Sequence, residues 1–371
     1  MRILTVFGTR PEAIKMAPIL RRLSDTPGVQ SLVCVTAQHR QMLDQVLDLF
    51  GIVPDRDLDI MRDGQGLTYI TTSVLERLGE VYRELKPDRV LVQGDTTTTF
   101  AAALAAFYEK IPAGHVEAGL RTGNVFSPWP EEMNRRLTTA IADLHFPPTE
   151  KSRANLLREG VDPARIVVTG NTVIDALLDA VAMLEADPAR AAALDAALPP
   201  LQPAKRLIVT TGHRRENFAG GLERVGLGLR RLADRGDVEI IYPVHLNPNV
   251  QAPAQKVLGG HPAIHLIPPL DYLPFVNLMR RADLIITDSG GIQEEAPSLG
   301  KPVLVTRDTT ERPEAVEAGT VELVGTDTEL LVARASRLLD DRSAYEAMSY
   351  AHNPYGDGRA AIRILEALIN G

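Results

Sequence analysis

The stretch that decides the fold is Asp283–Pro302, with the sequence DLIITDSGGIQEEAPSLGKP. The largely apolar run Leu284–Thr287 is typical of a buried strand, and a helix-compatible stretch begins directly behind Ser289-Gly290-Gly291. A strand that turns through glycine into a helix presents unpaired backbone N–H groups and the positive end of the helix dipole, which favour an anion. A purely structural strand-to-helix turn is the alternative, because glycine allows positive φ wherever a tight turn is needed.

Charged residues after the next predicted strand favour a binding site over a simple turn. The loop Arg307–Arg312 (RDTTER) follows the predicted strand Pro302–Thr306, and open α/β sheets bind ligands outside the carboxyl ends of their strands. Glu295 lies one turn into the predicted helix, where a carboxylate suits a ribose diol. The sequence therefore predicts a nucleotide diphosphate on the glycine turn, with its ribose on Glu295.

Short strand-like runs alternate with helix-like patterns along the whole chain, which predicts parallel sheets with right-handed crossovers. We predict strands at Ile3–Phe7, Leu32–Val35, Arg89–Val92, Ile166–Val168, Leu207–Thr210, Ile240–Pro243, Ile264–Ile267, Leu284–Thr287, Pro302–Thr306 and Val321–Val324. Predicted helices cover Glu12–Leu23, Arg40–Leu49, Leu67–Leu85, Thr97–Tyr108 and Arg359–Ile369. Pro18 is expected to kink or restart the first of these helices.

The chain changes composition near its middle. Alanine dominates from Asp175, and Leu198–Pro203 (LPPLQP) interrupts the pattern before the strand–helix alternation starts again. At 371 residues the chain is too long for a single core. The fold class expected is α/β, with two doubly wound Rossmann-like domains facing a cleft. The first domain is predicted at 1–172, with the C-terminal helix 355–371 packing back on it, and the second at 173–354, including a helical linker 173–204.

Composition excludes several classes of protein. With 44% hydrophobic and 24% charged residues the chain is an ordinary soluble protein, and its net charge of −8 argues against a nucleic-acid or anionic-membrane partner. The single cysteine, Cys34, lies in an apolar run and is expected to be a buried core residue in a reducing compartment. The N-terminal MRILTVFGTRPEA does not resemble a signal peptide, and no apolar run is long enough to span a membrane. We therefore expect a cytoplasmic protein.

Acidic residues follow two predicted strands of the first half. Asp95 comes directly after Arg89–Gly94 and is a catalytic candidate, although it could instead be the N-cap of the helix from Thr96. As an isolated feature, the cap is the favoured interpretation of Asp95. Glu117 ends a short strand with no helix behind it to cap, so a functional role explains it better.

Further candidates begin predicted helices or follow strands. Glu131 could be catalytic or could complement the dipole of its helix, and its neighbour Glu132 could be the functional residue instead. His213 follows a strand together with two arginines, which suits phosphate binding and acid–base chemistry. Arg10 and Lys15 place cations at a helix N-terminus, where they oppose the dipole, and an anionic ligand would explain them.

Seven motifs occur in order along the chain: GTRPEAIKMAP (Gly8–Pro18), QGDTTT (Gln93–Thr98), HVEAGLRTG (His115–Gly123), PEEMNRR (Pro130–Arg136), TGHRREN (Thr211–Asn217), DSGGIQEEAPSLGKP and RDTTERPEA. Together they resemble the non-hydrolysing UDP-N-acetylglucosamine 2-epimerase family, which is similar in fold to the GT-B glycosyltransferases. The resemblance implies reversible conversion of UDP-N-acetylglucosamine to UDP-N-acetylmannosamine for surface polysaccharides. It also implies UDP as a ligand and a homodimer.

The resemblance carries specific residues into roles. Catalysis is assigned to Asp95, Glu117, Glu131 and His213. The UDP-sugar site is assigned to Arg10, Lys15, Asp95, Glu117 and His213, and the nucleotide to Leu270, Phe275, Ser289, Gly290, Gly291, Glu295 and Arg312. A second, activating UDP-N-acetylglucosamine site is assigned to Gln38, His39, Gln65, Arg214 and His245.

The implied chemistry is elimination of UDP to a glycal, followed by its return, and it requires no redox cofactor and no metal. It uses cations around the diphosphate and carboxylates around the sugar ring. Three other activities share part of this residue set: a GT-B glycosyltransferase, a hydrolysing epimerase that releases N-acetylmannosamine and UDP, and a sugar-nucleotide-binding regulator. The acidic set together with His213 argues against the regulator.

Overall fold

The computed structural model describes residues 1–37, 40–62 and 64–370. The chain separates into two compact units, the first formed by Met1–Ala176 with Tyr355–Gly371 and the second by Leu177–Pro354. Each unit contains one six-stranded sheet. Every strand pairing in both sheets is parallel.

The sheet of the first unit has the strand order β3-β2-β1-β4-β5-β6, the doubly wound order. Its strands are β1 (Arg2–Phe7), β2 (Gln30–Val35), β3 (Arg56–Asp57), β4 (Arg89–Gln93), β5 (Ala113–Val116) and β6 (Leu144–Phe146). The helices that begin in this part of the chain are α1 (Arg10–Ser24), α2 (Arg40–Phe50), α3 (Leu67–Leu85), α4 (Thr97–Tyr108), α5 (Glu131–Ile141), α6 (Glu150–Arg158) and α7 (Thr172–Ala186).

The sheet of the second unit has the order β12-β11-β10-β7-β8-β9, the same topology taken from the other edge. Its strands are β7 (Arg206–Thr211), β8 (Val238–Pro243), β9 (Ile264–Ile267), β10 (Leu284–Thr287), β11 (Val303–Val305) and β12 (Val321–Leu323). The remaining helices are α8 (Pro188–Ala196), α9 (Gly221–Ala233), α10 (Pro248–Leu258), α11 (Tyr272–Arg281), α12 (Gly290–Ser298), α13 (Pro313–Glu317), α14 (Thr328–Asp340), α15 (Arg342–Ser349) and α16 (Ala360–Asn370).

Helix α16 packs in the first unit against α1. The backbone N–H groups of Ala360 and Ala361 donate to the carboxylate of Asp175, at 3.2 and 2.9 Å. A carboxylate at a helix N-terminus accepts otherwise unpaired N–H groups and complements the dipole. Asp175 thereby fixes the start of the last helix.

The central strands are buried on both faces. In β1, the side chains of Ile3, Leu4, Val6 and Phe7 are fully buried, as expected of a parallel sheet covered by helices on both sides. Cys34 on β2 is also in this core, where burial raises the pKa of its thiol to about 12. The prediction of a buried cysteine is confirmed. Within the described residues, no helix combines the length and the apolar character needed to cross a lipid bilayer.

One predicted strand is wrong, and one of the two effects expected of Pro18 does not occur. Ile166–Val168 is not a strand, because after a 3₁₀ turn at Pro163–Arg165 only Ile166 forms a bridge, to His145 at the sheet edge. Pro18 does not restart α1, which is one helix from Arg10 to Ser24. Proline removes one helical hydrogen bond, and burial of the α1 face that carries Met16, Ile19 and Leu20 offsets that loss. The short edge strands β3 and β6 were not predicted.

Candidate active site

Strand register brings two loops of the first unit together. In the pairing of β4 with β5, Gln93 lies opposite Val116, so both strands end at the same level of the sheet. The Gly94-Asp95 turn and Glu117 therefore follow side by side. Helix α1 starts after β1, the other neighbour of β4, and carries Lys15 to the same edge.

Glu117 is the centre of this cluster and is only 7% exposed. Lys15 Nζ lies 2.7 and 2.6 Å from its two carboxylate oxygens. Asn171 Nδ2 donates to Oε1 at 2.9 Å, and Gln93 Nε2 donates to Oε2. A buried carboxylate is tolerated when cations and donors surround it, and here residues from three different segments of the chain hold Glu117.

The backbone of Glu117 adopts a left-handed conformation, with φ of 62°. For a residue with a side chain this conformation costs roughly 1–2 kcal/mol. A hydrogen bond from Glu117 N to Phe146 O, at 3.0 Å, holds it in place. Strain of this kind concentrates at functional sites and here it aims the carboxylate at Lys15.

Asp95 does not cap a helix, so the cap interpretation is wrong. Thr96 is the N-cap of α4, and its side chain accepts from Thr99 N. The Asp95 side chain instead lies beside Arg135, with Oδ2 2.6 Å from Nη2. Asn134 Nδ2 donates to the Asp95 carbonyl oxygen at 2.9 Å. Helix α5 therefore positions the Asp95 turn.

Glu131 and Glu132 have different environments at the start of α5. Glu132 is fully buried, accepts from Thr122 N at 3.1 Å, and pairs with Arg135 Nη1 at 3.1 Å. Its oxygens therefore hold the preceding loop and Arg135. Glu131 Oε2 is buried, and among the described residues it has no hydrogen-bond partner. Of the two carboxylates, Glu131 is the one available to a ligand.

Glu12 is a buried carboxylate that the sequence analysis did not single out. It accepts from the backbone N–H groups of Gly8 and Thr9, at 3.0 and 2.8 Å, and from the hydroxyls of Thr96 and Thr99, at 2.6 and 3.1 Å. The pKa of Glu12 is raised, because the effect of burial outweighs the opposite effect of these hydrogen bonds. Glu12 thus ties the loop that carries Arg10, the first residue of α1, to the loop that carries Asp95.

In the second unit, β7 and β10 end together, with Thr211 opposite Thr287. The loop after β7 therefore lies against Asp288, which is fully buried. Asp288 Oδ2 accepts from His213 N and Arg214 N, both at 2.8 Å, and from Asn217 Nδ2 at 3.3 Å. This carboxylate shapes the loop that carries His213.

The His213 ring stacks on that of His245, with centroids 5.6 Å apart and planes 18° from parallel. Partial burial lowers the pKa of His213, and Arg214 and His245 lower it further, while Asp288 acts in the opposite direction. His213 is therefore held toward its neutral form. Arg214 and His245, predicted for a second site, lie beside His213.

The glycine turn has the predicted form. Ser289 is the N-cap of α12, and Gly290 and Gly291 form its first turn. Ser289 N donates to Thr287 Oγ1 at 2.9 Å. Helix α12 begins at the carboxyl end of β10, so its N–H groups are directed to the edge where ligands bind in such sheets.

Side chains of α12 connect it to the loop after β11. Arg312 Nε donates to Glu294, which is nearly fully buried, and Thr310 Oγ1 donates to Gln293 Oε1 at 2.6 Å. The structure therefore brings Arg312 to the helix of the glycine turn. Glu294 is used in this pair, which leaves Glu295 as the acidic residue for the predicted ribose contact.

Glu295 contacts a residue that the sequence analysis missed. Tyr272 is the first residue of α11, and its hydroxyl donates to Glu295 Oε1 at 3.2 Å. Burial raises the pKa of Tyr272 well above its usual value, and the neighbouring Glu295 adds to this effect. Leu270 lies two residues before the start of α11 and Phe275 lies within the helix, and both are half-buried. Their contact with uracil stays a prediction.

The remaining residues of the predicted second site belong to the first unit or lie outside the described residues. Gln65 lies in the first unit, where its Oε1 accepts from Arg62 N at 3.2 Å. Gln38 and His39 lie outside the described residues. The second site therefore stays a prediction.

Sequence reasoning missed Gln93, Arg135, Asn171, Tyr272 and Asp288. Gln93, Arg135 and Asp288 lie inside the quoted motifs, but the functional roles were assigned to neighbouring residues of those motifs. No local pattern marks Asn171 or Tyr272, because each reaches its partner through a contact distant in sequence.

Each unit has a parallel six-stranded sheet of doubly wound order, with polar loops at the carboxyl ends of its strands. These features define a two-domain α/β protein of the GT-B type. The family model described as UDP-N-acetylglucosamine 2-epimerase matches residues 21–369. The chain belongs to the UDP-N-acetylglucosamine 2-epimerase family. The predicted family and the predicted two-domain α/β fold are confirmed.

Relatives match over the whole chain. The UDP-N-acetylglucosamine 2-epimerase of Escherichia coli (strain K12) is 61% identical over 371 residues, which cover 100% of this chain and 99% of that protein. The Neisseria meningitidis UDP-GlcNAc 2-epimerase bound to UDP-GlcNAc is similar in structure with a TM-score of 0.93, at 53% identity and 100% coverage of both chains. The Methanocaldococcus jannaschii enzyme in complex with UDP-GlcNAc and UDP gives a TM-score of 0.82 at 34% identity, again with 100% coverage of both chains.

Proposed function

We propose that this protein interconverts UDP-N-acetylglucosamine and UDP-N-acetylmannosamine without net hydrolysis. The observation that carries the proposal is the buried Glu117–Lys15 pair at the strand ends of the first unit, beside Asp95. Relatives named as UDP-N-acetylglucosamine 2-epimerases over the full length of the chain support the same substrate.

The substrate sets the mechanism. The C2 hydrogen of the sugar is not adjacent to a carbonyl group, so it is not acidic enough for direct removal. Breakage of the C1–O bond, with its electron pair leaving on UDP, builds positive charge at C1 and acidifies the C2 hydrogen. A base then takes that proton and a C1–C2 double bond forms, giving 2-acetamidoglucal. Protonation of C2 on the opposite face and return of the UDP oxygen to C1 complete the epimerisation.

The polar residues of the first unit suit the sugar half of this chemistry. Carboxylates stabilise a positively charged ring and accept or return protons. Asp95, Glu117 and Glu131 form this set, and Glu131 Oε2, a buried oxygen without a hydrogen-bond partner among the described residues, is the acceptor left for a substrate proton. Lys15 and Arg10 add positive charge for the departing diphosphate.

The second unit suits the nucleotide half. The N-terminus of α12, at Ser289, Gly290 and Gly291, provides backbone N–H groups for a phosphate. Arg312 adds a cation that Glu294 orients. Glu295, supported by Tyr272, is placed to accept from the ribose hydroxyls.

Proton NMR of the protein with UDP-N-acetylglucosamine in D₂O tests the proposal. We expect UDP-N-acetylmannosamine with deuterium at C2, approaching a fixed ratio while free UDP stays far below the product. Stoichiometric UDP with free N-acetylmannosamine would show the hydrolysing reaction instead. An unchanged substrate that still binds, followed by sugar transfer when acceptors are added, would show a glycosyltransferase. Glu150→Gln, an exposed carboxylate on α6, is the active control for a Glu117→Gln variant.

A further inference from the structure

The carboxylate of Asp288 lies beside His213, within 3.3 Å of a ring nitrogen. Its Oδ2 is occupied by three donors, namely the backbone N–H groups of His213 and Arg214 and the amide of Asn217. Its Oδ1 is buried, and among the described residues it makes no hydrogen bond of good geometry. The ring atom that faces Oδ1 is His213 Nδ1, at 3.3 Å.

Only one neutral form of the imidazole is compatible with this geometry. With the proton on Nδ1, the ring can donate toward Oδ1 and satisfy a buried acceptor. With the proton on Nε2, a nitrogen lone pair would face a carboxylate oxygen that has no hydrogen-bond partner within the described part of the chain, which is repulsive and leaves the oxygen unsatisfied. Catalytic hydrogen bonds are often long before the substrate is bound, so 3.3 Å is a distance from which this contact can tighten.

We propose that Asp288 is a positioning residue that holds neutral His213 with its proton on Nδ1, so that Nε2 is a proton acceptor. The inference deepens the proposed function and rests on it for its effect on turnover. With Nδ1 turned to the buried carboxylate, Nε2 is the nitrogen left to the ligand, and the side chain is 39% exposed. Neutral His213 therefore cannot donate a hydrogen bond to a phosphate from Nε2. It can bind a developing phosphate anion only after taking up a proton, and the imidazolium then donates from both nitrogens.

Other charged and titratable groups around the ring do not supply this tautomer. They are Arg214 on the same loop, His245 after β8, and Tyr242 on β8, whose hydroxyl donates to Gly212 O at 3.1 Å. Burial, Arg214 and His245 lower the pKa of His213, which keeps the ring neutral before the ligand binds. A neutral ring has a choice of tautomer, and Asp288 Oδ1 is the acceptor that decides it.

The tautomer can be measured directly in the unliganded protein by ¹⁵N NMR of histidine-labelled samples. The His213 signals are identified by their loss in His213→Gln. In the wild type at pH 8 (a pH chosen to be well above an ordinary histidine pKa of about 6.5) we expect a protonated Nδ1 and a bare Nε2. A protonated Nε2 in the wild type would overturn the proposal. This arm requires no variant at position 288 and no turnover.

Asp288→Asn provides the second arm. In this variant the amide oxygen can take the place of Oδ2 and accept from the same three donors. The amide NH₂ then takes the place of Oδ1 and donates to Nδ1 of His213. The ring proton therefore moves to Nε2. We expect that shift in the ¹⁵N spectrum, together with a fall in kcat of roughly 10- to 100-fold and a change in the pH profile of kcat. Unchanged kcat or an unchanged tautomer in a folded Asp288→Asn protein would contradict the proposal.

Two controls separate positioning from stability. Asp283→Asn removes a carboxylate at the opposite end of β10, where Oδ2 accepts from Leu207 N at 2.7 Å, and should leave the tautomer and the pH profile unchanged. In a His213→Gln background, Asp288→Asn should lower kcat by less than about twofold, because the two residues act as a unit. A full additional loss there would show that Asp288 acts independently of His213. If the wild type has the Nδ1–H form but shows no epimerisation, the proposed function fails and the tautomer assignment stands.

Discussion

Asp95 Oδ2 lies 2.6 Å from Arg135 Nη2. The same guanidinium contacts the fully buried Glu132 through Nη1 at 3.1 Å. Arginine can bridge two carboxylates because its planar group offers several donors in a fixed geometry. Glu132 therefore fixes Arg135, and Arg135 fixes Asp95, so a structural carboxylate orients a catalytic candidate through one arginine.

Replacing Arg135 by lysine should uncouple this pair. A single ammonium cannot keep both contacts, so Asp95 loses its fixed orientation, and kcat should fall roughly 10- to 100-fold because small displacements of reacting groups are costly. Steady-state kinetics test this, with Arg136→Lys as the matched control on the exposed side of α5. An Arg135→Lys variant with unchanged kcat would show that the positive charge, and not the bridge, is what matters.

The Lys15–Glu117 pair should be strongly coupled. Lys15→Met leaves Glu117, whose side chain is 5% exposed, without its cation, and should lower the free energy of unfolding by roughly 3 kcal/mol or more. Adding Glu117→Gln removes the uncompensated charge, so the double variant should be more stable than Lys15→Met alone. Urea unfolding of the four proteins gives the coupling energy, and additive effects would refute the coupling.

Glu12 should contribute to stability through its hydrogen bonds. Glu12→Gln replaces one acceptor oxygen with a donor that faces the hydroxyls of Thr96 and Thr99. We expect a loss of about 1–3 kcal/mol in the free energy of unfolding. Glu150→Gln, on the exposed start of α6, should change it little. A Glu12→Gln protein as stable as the wild type would mean that the hydroxyls reorient without cost.

Glu295 should decide whether the ribose hydroxyls are recognised. If it accepts from the diol, the wild type should bind UDP roughly tenfold or more tightly than 2′-deoxy-UDP, because the analogue leaves a buried acceptor unpaired. Glu295→Gln should reduce that ratio, and Tyr272→Phe, which removes the hydroxyl that contacts Glu295, should reduce it less. Isothermal titration calorimetry of the three proteins with UDP and with 2′-deoxy-UDP gives the affinity ratio for each. A wild type that binds both nucleotides equally would exclude the ribose contact.

His115 should make the protein less stable in acid. It is fully buried, its Nε2 contacts Gly94 O at 2.7 Å, and burial lowers its pKa from 6.5 to about 3. Below pH 6.5 the unfolded chain takes up a proton that the folded chain does not. The contribution of His115 to the free energy of unfolding is therefore fully present above pH 6.5 and is lost as the pH falls toward 3. For one proton the loss is about 1.4 kcal/mol per pH unit.

The measurement is the pH dependence of the free energy of unfolding in wild type and His115→Gln. Between the two pKa values of His115, the plot of the free energy of unfolding against pH should have a slope smaller by about one proton in the variant, whatever the variant's absolute stability. His352→Gln removes an imidazole from the surface and is the matched control. Equal slopes in wild type and His115→Gln would show that His115 is protonated in the folded protein.

Much of the molecule follows from local pattern. The predicted bounds of α3, α4, β9 and β10 coincide with those observed, because long periodic or strongly apolar segments hold enough information in their own residues. The edge strands β3 and β6 have two and three residues, too few for a period to show. Pro18 does not restart α1, because the local cost of the proline is offset by burial of α1 against the core.

By itself the sequence determined the alternation of strands and helices, the glycine turn at α12, and the set of acidic and basic residues at the strand ends. Residues near in sequence and properties of single side chains suffice for these features. Only the tertiary structure decided which of those residues meet: Asp95 with Arg135, Glu117 with Asn171, Glu295 with Tyr272, and His213 with Asp288. Strand register and helix packing set these contacts between residues that lie tens of positions apart in the chain.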